Sequence, residues 1–217
     1  MKLKKAKFLS ENMETIARRD RILLNNPVIM QGMGLAPLVV AATTGRSALI
    51  LSVAVLLLLT PTRMLAALAA RPVPYRFRAI VYCTIAAVLY AGVYMLMRGW
   101  FEVEQTLAVG MYLPLLCVEP LIIKRYERPR KEPVLVALQK GLYITGGYIL
   151  ILMLMGCLRE LLAAGTLFGR PVSNVHLLPV ASLPAGGFIL VGVLCAIWRG
   201  AVRAYKNYVH REANRTV

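Results

Sequence analysis

Carboxylates are scarce in this chain. Asp and Glu number 10 against 26 Lys and Arg, a formal net charge of +16. Such a balance can mark a nucleic-acid binder, whose basic residues gather on one face. Here they lie between apolar runs, as the loop charges of membrane proteins do, and nucleic acid drops out as a partner. Cysteine is sparse too. Cys83, Cys117, Cys157 and Cys195 each stand alone in an apolar run, with no C-x-x-C and neither His176 nor His210 nearby in sequence. Each reads as a small buried hydrophobe. None sits in an outer loop, which argues against a structural disulfide. The chain has no G-x-x-x-x-G-K-[ST], no G-x-G-x-x-G and no H-E-x-x-H, so nothing in it reads as a nucleotide site or a hydrolase. Charged residues make up only 17%. What remains is 59% hydrophobic with a mean hydropathy of +0.64, too apolar for a soluble domain of 217 residues. This composition specifies an all-α integral membrane protein.

Six spans can be read, at about 27–45, 47–70, 79–97, 105–123, 138–163 and 177–198. Of the 26 Lys and Arg, 22 fall in residues 1–26, the 61–78 and 124–140 connections, and the tail after Trp198. The opposite side has only Arg46, Arg98, Arg159 and Arg170, with Glu102, Glu104 and Glu160. The positive-inside rule then places both termini in the cytoplasm. An odd number of spans would scramble this division.

The chain accordingly divides into a basic cytoplasmic arm (1–26), a membrane domain (27–198) and a basic cytoplasmic tail (199–217). The arm does not read as a signal peptide, because Ser10 to Asp20 is polar where an apolar core is needed. Leu9, Met13, Ile16 and Leu23 recur at helical spacing, which suits an amphipathic helix on the membrane surface or a solvated arm. The basic, aromatic loop from Arg71 to Arg78 suits anionic headgroups. Arg159 and Glu160, followed by Gly165, read as the stop of the fifth span. Gly141, Gly146, Gly147 and Gly156 would let neighbouring helices come close.

Two spans are broken. Gln105–Ile123 is interrupted by Pro114 and Pro120, and Pro27–Gly45 by Gly32, Gly34 and Pro37. Proline removes a backbone donor and clashes one turn back, so neither stretch can be an unbroken helix. In lipid the freed carbonyls need protein partners or a cavity. Each broken stretch opens one half of the domain, about 27–97 and 105–198, and they share Gly-Met-Gly-Leu-Ala-Pro and Gly-Met-Tyr-Leu-Pro. Discontinuous spans at matching positions are the sign of two inverted three-span repeats with a site between them. Glu119 stands beside Pro120, and a carboxylate at such a break is a candidate for an ion or proton pathway. It could equally reach water at the cytoplasmic end or pair with Lys124 or Arg125.

Certain motifs also carry a likeness. They are Asn26-Pro27-Val28 leading to Gln31, Gly34-Leu35-Ala36-Pro37, Tyr112-Leu113-Pro114-Leu115, Arg159-Glu160-Leu161-Leu162 through Gly165-Thr166-Leu167-Phe168-Gly169, and Leu183 through Ile189. In this order and spacing the chain resembles the six-span subunits shared by the Rnf and Nqr membrane complexes, the RnfA, RnfE, NqrD and NqrE group. With both termini inside, it is closest in orientation to RnfE and NqrD. The resemblance implies two inverted repeats and pairing with an oppositely oriented paralogue. It also implies a [2Fe-2S] cluster shared between the two, and electron flow coupled to sodium or proton translocation. Each paralogue would supply one cysteine from each broken span. Here Ala36 and Pro120 occupy those positions, and neither can ligate iron. Cys117 lies three residues earlier, and no cysteine lies near Ala36.

The expectation is therefore a subunit of an Rnf/Nqr-type ion-translocating electron-transport complex, in a bacterial inner membrane, binding no metal or cofactor by itself. Its partners would be the bilayer, the paralogue and the other subunits of the complex. A cluster-free scaffold and a separate transporter reusing the fold are the alternatives.

Overall fold

Long apolar runs with few breakers become long helices. The computed structural model describes residues 10–17, 20–69, 72–110, 112–119, 133–172 and 177–214. Helix α1 covers 10–17 and buries Met13 and Ala17 while exposing Glu11 and Glu14, the amphipathic pattern its spacing predicts. Helix α2 is Gly45–Ala69, with Pro61 accommodated inside it. Helix α3 is Arg78–Trp100. Helical segments α4 (Val103–Gly110) and α5 (Tyr112–Leu115) follow on either side of residue 111, which lies outside the described residues, then a 3-10 turn, Leu116–Val118. Helix α6 is Val134–Ala164, and α7 is Pro184–Asn214.

Among the described residues four helices, α2, α3, α6 and α7, are long and apolar enough to cross a membrane. The expected first span is in short pieces, and the described part of the expected fourth passes into a 3-10 turn at Leu116–Val118. Residues 21–31 are turns, and Pro37–Ala41 is a single π-helical turn. The last helix begins later than its hydropathy suggests. A 3-10 turn, Pro179–Ser182, occupies the start of the expected span, and α7 opens on Pro184. It then runs well past Trp198, so residues 199–214 of the basic tail are helical.

Helices α2 and α6 form the centre. They run antiparallel, which the glycines of α6 record. An added Cβ at Gly156 would lie 2.5 Å from the Ala48 Cβ, and one at Gly141 would lie 3.5 Å from the Arg63 Cδ. Without a hydrophobic drive between helices in lipid, such close backbone approach is what holds them. The core joins Leu51, Leu58 and Leu59 of α2 to Ile151, Leu152 and Met155 of α6. Val28, Ile29, Leu38 and Val39 of the first broken stretch complete it.

The outer helices α3 and α7 expose most of their side chains. Val88 and Met95 of α3, and Ile189 and Ile197 of α7, are all exposed. An apolar outer face on a long helix suits lipid. The stop of α6 matches its sequence. Gly165 takes φ +65°, a left-handed conformation open to glycine, and its N–H closes the last turn on the Leu161 carbonyl at 3.1 Å.

Candidate functional site

The first broken stretch is anchored at Asn26, a fully buried residue. Its side-chain oxygen accepts from the N–H of Val28 at 2.9 Å, fixing the turn that Pro27 begins. Its amide nitrogen donates to the carbonyls of Ile22, at 2.9 Å, and Gly147 of α6, at 2.8 Å. Gly147 must be small there, because a Cβ would collide with the Arg21 carbonyl. From the far side α7 holds the same stretch. Trp198 donates to the Leu23 carbonyl at 3.0 Å, and Arg199 to those of Ile29 and Met30 at 3.1 and 3.2 Å.

Gly34 is the next fixed point. Its φ is +72°, and a Cβ would run into the Tyr148 ring, so two constraints select glycine. Tyr148 is fully buried near the midpoint of α6, and its hydroxyl donates to the Gly34 carbonyl at 3.0 Å. The carboxylate of Glu119 lies close to the Gly34 N–H. Glu119 is only 8% exposed. The 3-10 turn before it ends because a residue preceding proline is pushed to extended backbone, and Glu119 has ψ 138°. The two broken stretches thus meet at a main-chain amide and a carboxylate, beside Tyr148.

The other expected positions separate. Ala36 is exposed, in the helical region that a following proline disfavours, and it does not join Gly34 and Glu119. Pro37 is buried and begins the π turn. Pro114 is exposed within α5. Pro120, Lys124 and Arg125 lie outside the described residues.

A cluster of the type the family resemblance implies does not fit this arrangement. The methyl group of Ala36 offers no donor, and among the described residues no three His, Cys, Asp or Glu side chains gather to hold a metal. Cys117 is buried, with Cys83 and Tyr90 of α3 close enough to interact with it electrostatically. All four cysteines are free thiols.

The largest departure from sequence reasoning is Arg159. The adjacent pair with Glu160 reads as an outer helix stop, yet Arg159 is fully buried. Its Nε donates to the Ala181 carbonyl at 2.8 Å. One terminal nitrogen donates to Val39 and Ala42 at 2.5 and 3.1 Å, the other to Ser182 and Leu183 at 3.1 and 3.2 Å. Five N–H groups meet five carbonyls, those of Val39 and Ala42 at the π turn and of Ala181, Ser182 and Leu183 at the turn before α7, the last of which also accepts from the Gly187 N–H. Gly187 leaves room for this, since a Cβ there would lie 2.9 Å from the Val39 carbonyl and 3.1 Å from the guanidinium carbon.

Glu160 takes the complementary donors. It accepts from the first N–H of α2, at Gly45, and from that of Gly169, each at 2.7 Å, and from the Thr166 hydroxyl at 3.0 Å. Those last two belong to a small hairpin of β1 (Thr166–Leu167) and β2 (Arg170–Pro171). Its two-residue turn has positive φ at both Phe168 and Gly169, as tight hairpins require. One signal could have found this pair: two adjacent charges inside an apolar span need internal partners.

Comparison with known proteins then bears on this site. The family described as Rnf-Nqr subunit, membrane protein, matches residues 16–195. The chain is 32% identical over 189 residues to the E subunit of the ion-translocating oxidoreductase complex of Aliivibrio fischeri (strain MJ11), covering 80% of this chain and 83% of that one. It is 34% identical over 189 residues to the protein of the same name in Shewanella loihica, covering 80% and 81%. To that of Pseudomonas aeruginosa (strain LESB58) it is 33% identical over 196 residues, covering 82% of each.

Proposed function

The chain belongs to the Rnf-Nqr family of membrane proteins, and we propose that it works as a membrane subunit of an ion-translocating oxidoreductase complex, in the place its relatives hold in theirs. The observation that carries this is the continuous likeness to those relatives over 80% of the chain or more.

In this reading the chain has six spans arranged as two inverted repeats. The broken stretches are the first span of each repeat, and they meet where Gly34 faces Glu119. Both termini are cytoplasmic and the membrane is the bacterial inner one. Support comes from the sparse outer charges. Glu160 touches the start of α2 beside Arg46 and the hairpin that holds Arg170, so these lie at one end with Arg159. Arg199, midway along α7 and about four turns from its start at Pro184, lies with residues 29 and 30. An oppositely oriented paralogue is the expected neighbour, and the exposed Ala36 and Pro114 are free to face it.

This protein contributes the membrane frame and does not carry electrons on its own cysteines. The test is anaerobic purification of the tagged chain from its native membranes. The other subunits of the complex should come with it. The chain stripped of its paralogue should hold no iron or acid-labile sulfide. Near-stoichiometric iron on the isolated chain would overturn the cluster-free reading, and isolation without any redox partner would overturn the subunit reading.

A further inference from the structure

Next to Pro120, one of the two positions where the family resemblance implies a thiolate, this chain has a buried carboxylate, Glu119. We infer that Glu119 is a proton-exchanging site, taking up and releasing one proton at the junction of the two broken stretches.

Four observations lead there. First, Glu119 is 8% exposed, and burying a carboxylate is tolerable only with a partner or a proton. Second, the partner in view among the described residues is a single main-chain N–H, that of Gly34. A single N–H close by leaves carboxylate lone pairs over. Third, the surroundings do not suit a metal cation. Hard cations want several oxygen ligands, but the Gly34 carbonyl already accepts from Tyr148, and among the described residues no group of three metal-binding side chains exists. Fourth, Tyr148 marks the level of Glu119 near the midpoint of α6, the depth at which broken-span proteins place their sites.

Among the described residues, the titratable groups around it are the Tyr148 phenol, facing it from α6, and the Cys117 thiol on its own turn. Cys117 in turn faces Cys83 and Tyr90 of α3. The step makes or breaks one O–H bond at a carboxylate oxygen, with the proton drawn from and returned to water. Its use in ion translocation rests on the function proposed above, whereas proton exchange at Glu119 can be measured without it.

The experiment uses the full chain in native membranes, treated with dicyclohexylcarbodiimide, an apolar reagent that captures protonated carboxyl groups in apolar surroundings. Peptide mass spectrometry reads the adduct. Labelling should fall on Glu119 and be strong at acidic pH. Past the midpoint it should drop about tenfold for each pH unit, as for one titrating group. Added sodium chloride should give no protection, and Glu119→Gln should remove the adduct. If that variant fails to assemble, Glu119→Asp keeps a carboxyl and should still be labelled at position 119. No adduct at any pH would overturn the proposal, leaving the carboxylate as a cap for Gly34. Protection by sodium at constant pH would overturn it in favour of a metal-cation site.

Discussion

Arg159 commits all five of its N–H groups to five main-chain carbonyls drawn from two different turns. A buried charge is tolerated only when its donors are satisfied, and breaking such an arrangement is costly. The guanidinium is the one side chain with five donors in a fixed plane. Lysine keeps the charge but has three donors, so at least two carbonyls would lose the guanidinium, and at least one besides that of Leu183, which also accepts from the Gly187 N–H. Each unpaired buried group costs about 1–3 kcal/mol. Arg159→Lys should therefore lower stability by roughly 2 kcal/mol or more, read as a lower unfolding temperature of the chain in detergent. A melting profile equal to the parent's would show that the five bonds add nothing. Glu160 works in the same way from the opposite sign, collecting the N–H groups that begin α2 and close the hairpin. At this scale charge conservation is not enough, because donor count and geometry decide.

Between elements the decisive contact is α2 against α6. Both helices are apolar around most of their circumference, so hydrophobic periodicity does not say which face meets which. The glycines decide it unequally. At Gly156 an added Cβ would lie 2.5 Å from the Ala48 Cβ and 2.8 Å from the Thr44 carbonyl, whereas at Gly146 it would meet nothing within 4 Å. Gly156→Ala should push the helices apart and cost about 1–3 kcal/mol, the usual result of overpacking. Gly146→Ala should be neutral or stabilising by up to about 1 kcal/mol, since alanine is the better helix former. Paired thermal unfolding curves of the two variants check this, and equal losses would contradict the packing described. The broken stretches are also an element-scale matter. The break in the first was legible from Gly34 and Pro37, whereas Pro114, expected to interrupt the second, sits inside α5. What repairs the breaks was not legible. The partners, Arg159 and Tyr148, lie more than a hundred residues away from Val39 and Gly34.

Over the whole molecule the distribution of charge sets how the chain lies in the bilayer. In the six-span arrangement proposed above, 22 of the 26 basic residues fall on one side, and both ends should face the cytoplasm. Reporter fusions to each terminus check this: a cytoplasmic reporter should be active at both ends, and a periplasmic signal from either would overturn the six-span arrangement. The outward faces of α3 and α7 are apolar, so lipid or another membrane protein is their natural neighbour. The N-terminal stretch is tied to the middle of α7 through Trp198 and Arg199, where the basic tail begins. The positive tail of α7 therefore has a structural use beyond its charge.

The sequence by itself determined the class, the four long helices, the two broken stretches and the stop at Gly165. Each follows from local chemistry: apolar run length, proline and glycine geometry, and the side on which charges fall. Family membership was legible as well, because motifs such as Arg159 through Gly169 keep their order and spacing. Tertiary structure alone decided that Glu119 meets Gly34 while Ala36 faces away. It alone decided that Arg159 is an internal clamp rather than an interfacial stop, and that α7 begins at Pro184. The physical reason is the same in each case. A carbonyl freed by a proline or a turn must find a donor inside an apolar molecule, and which donor reaches it depends on packing between distant segments.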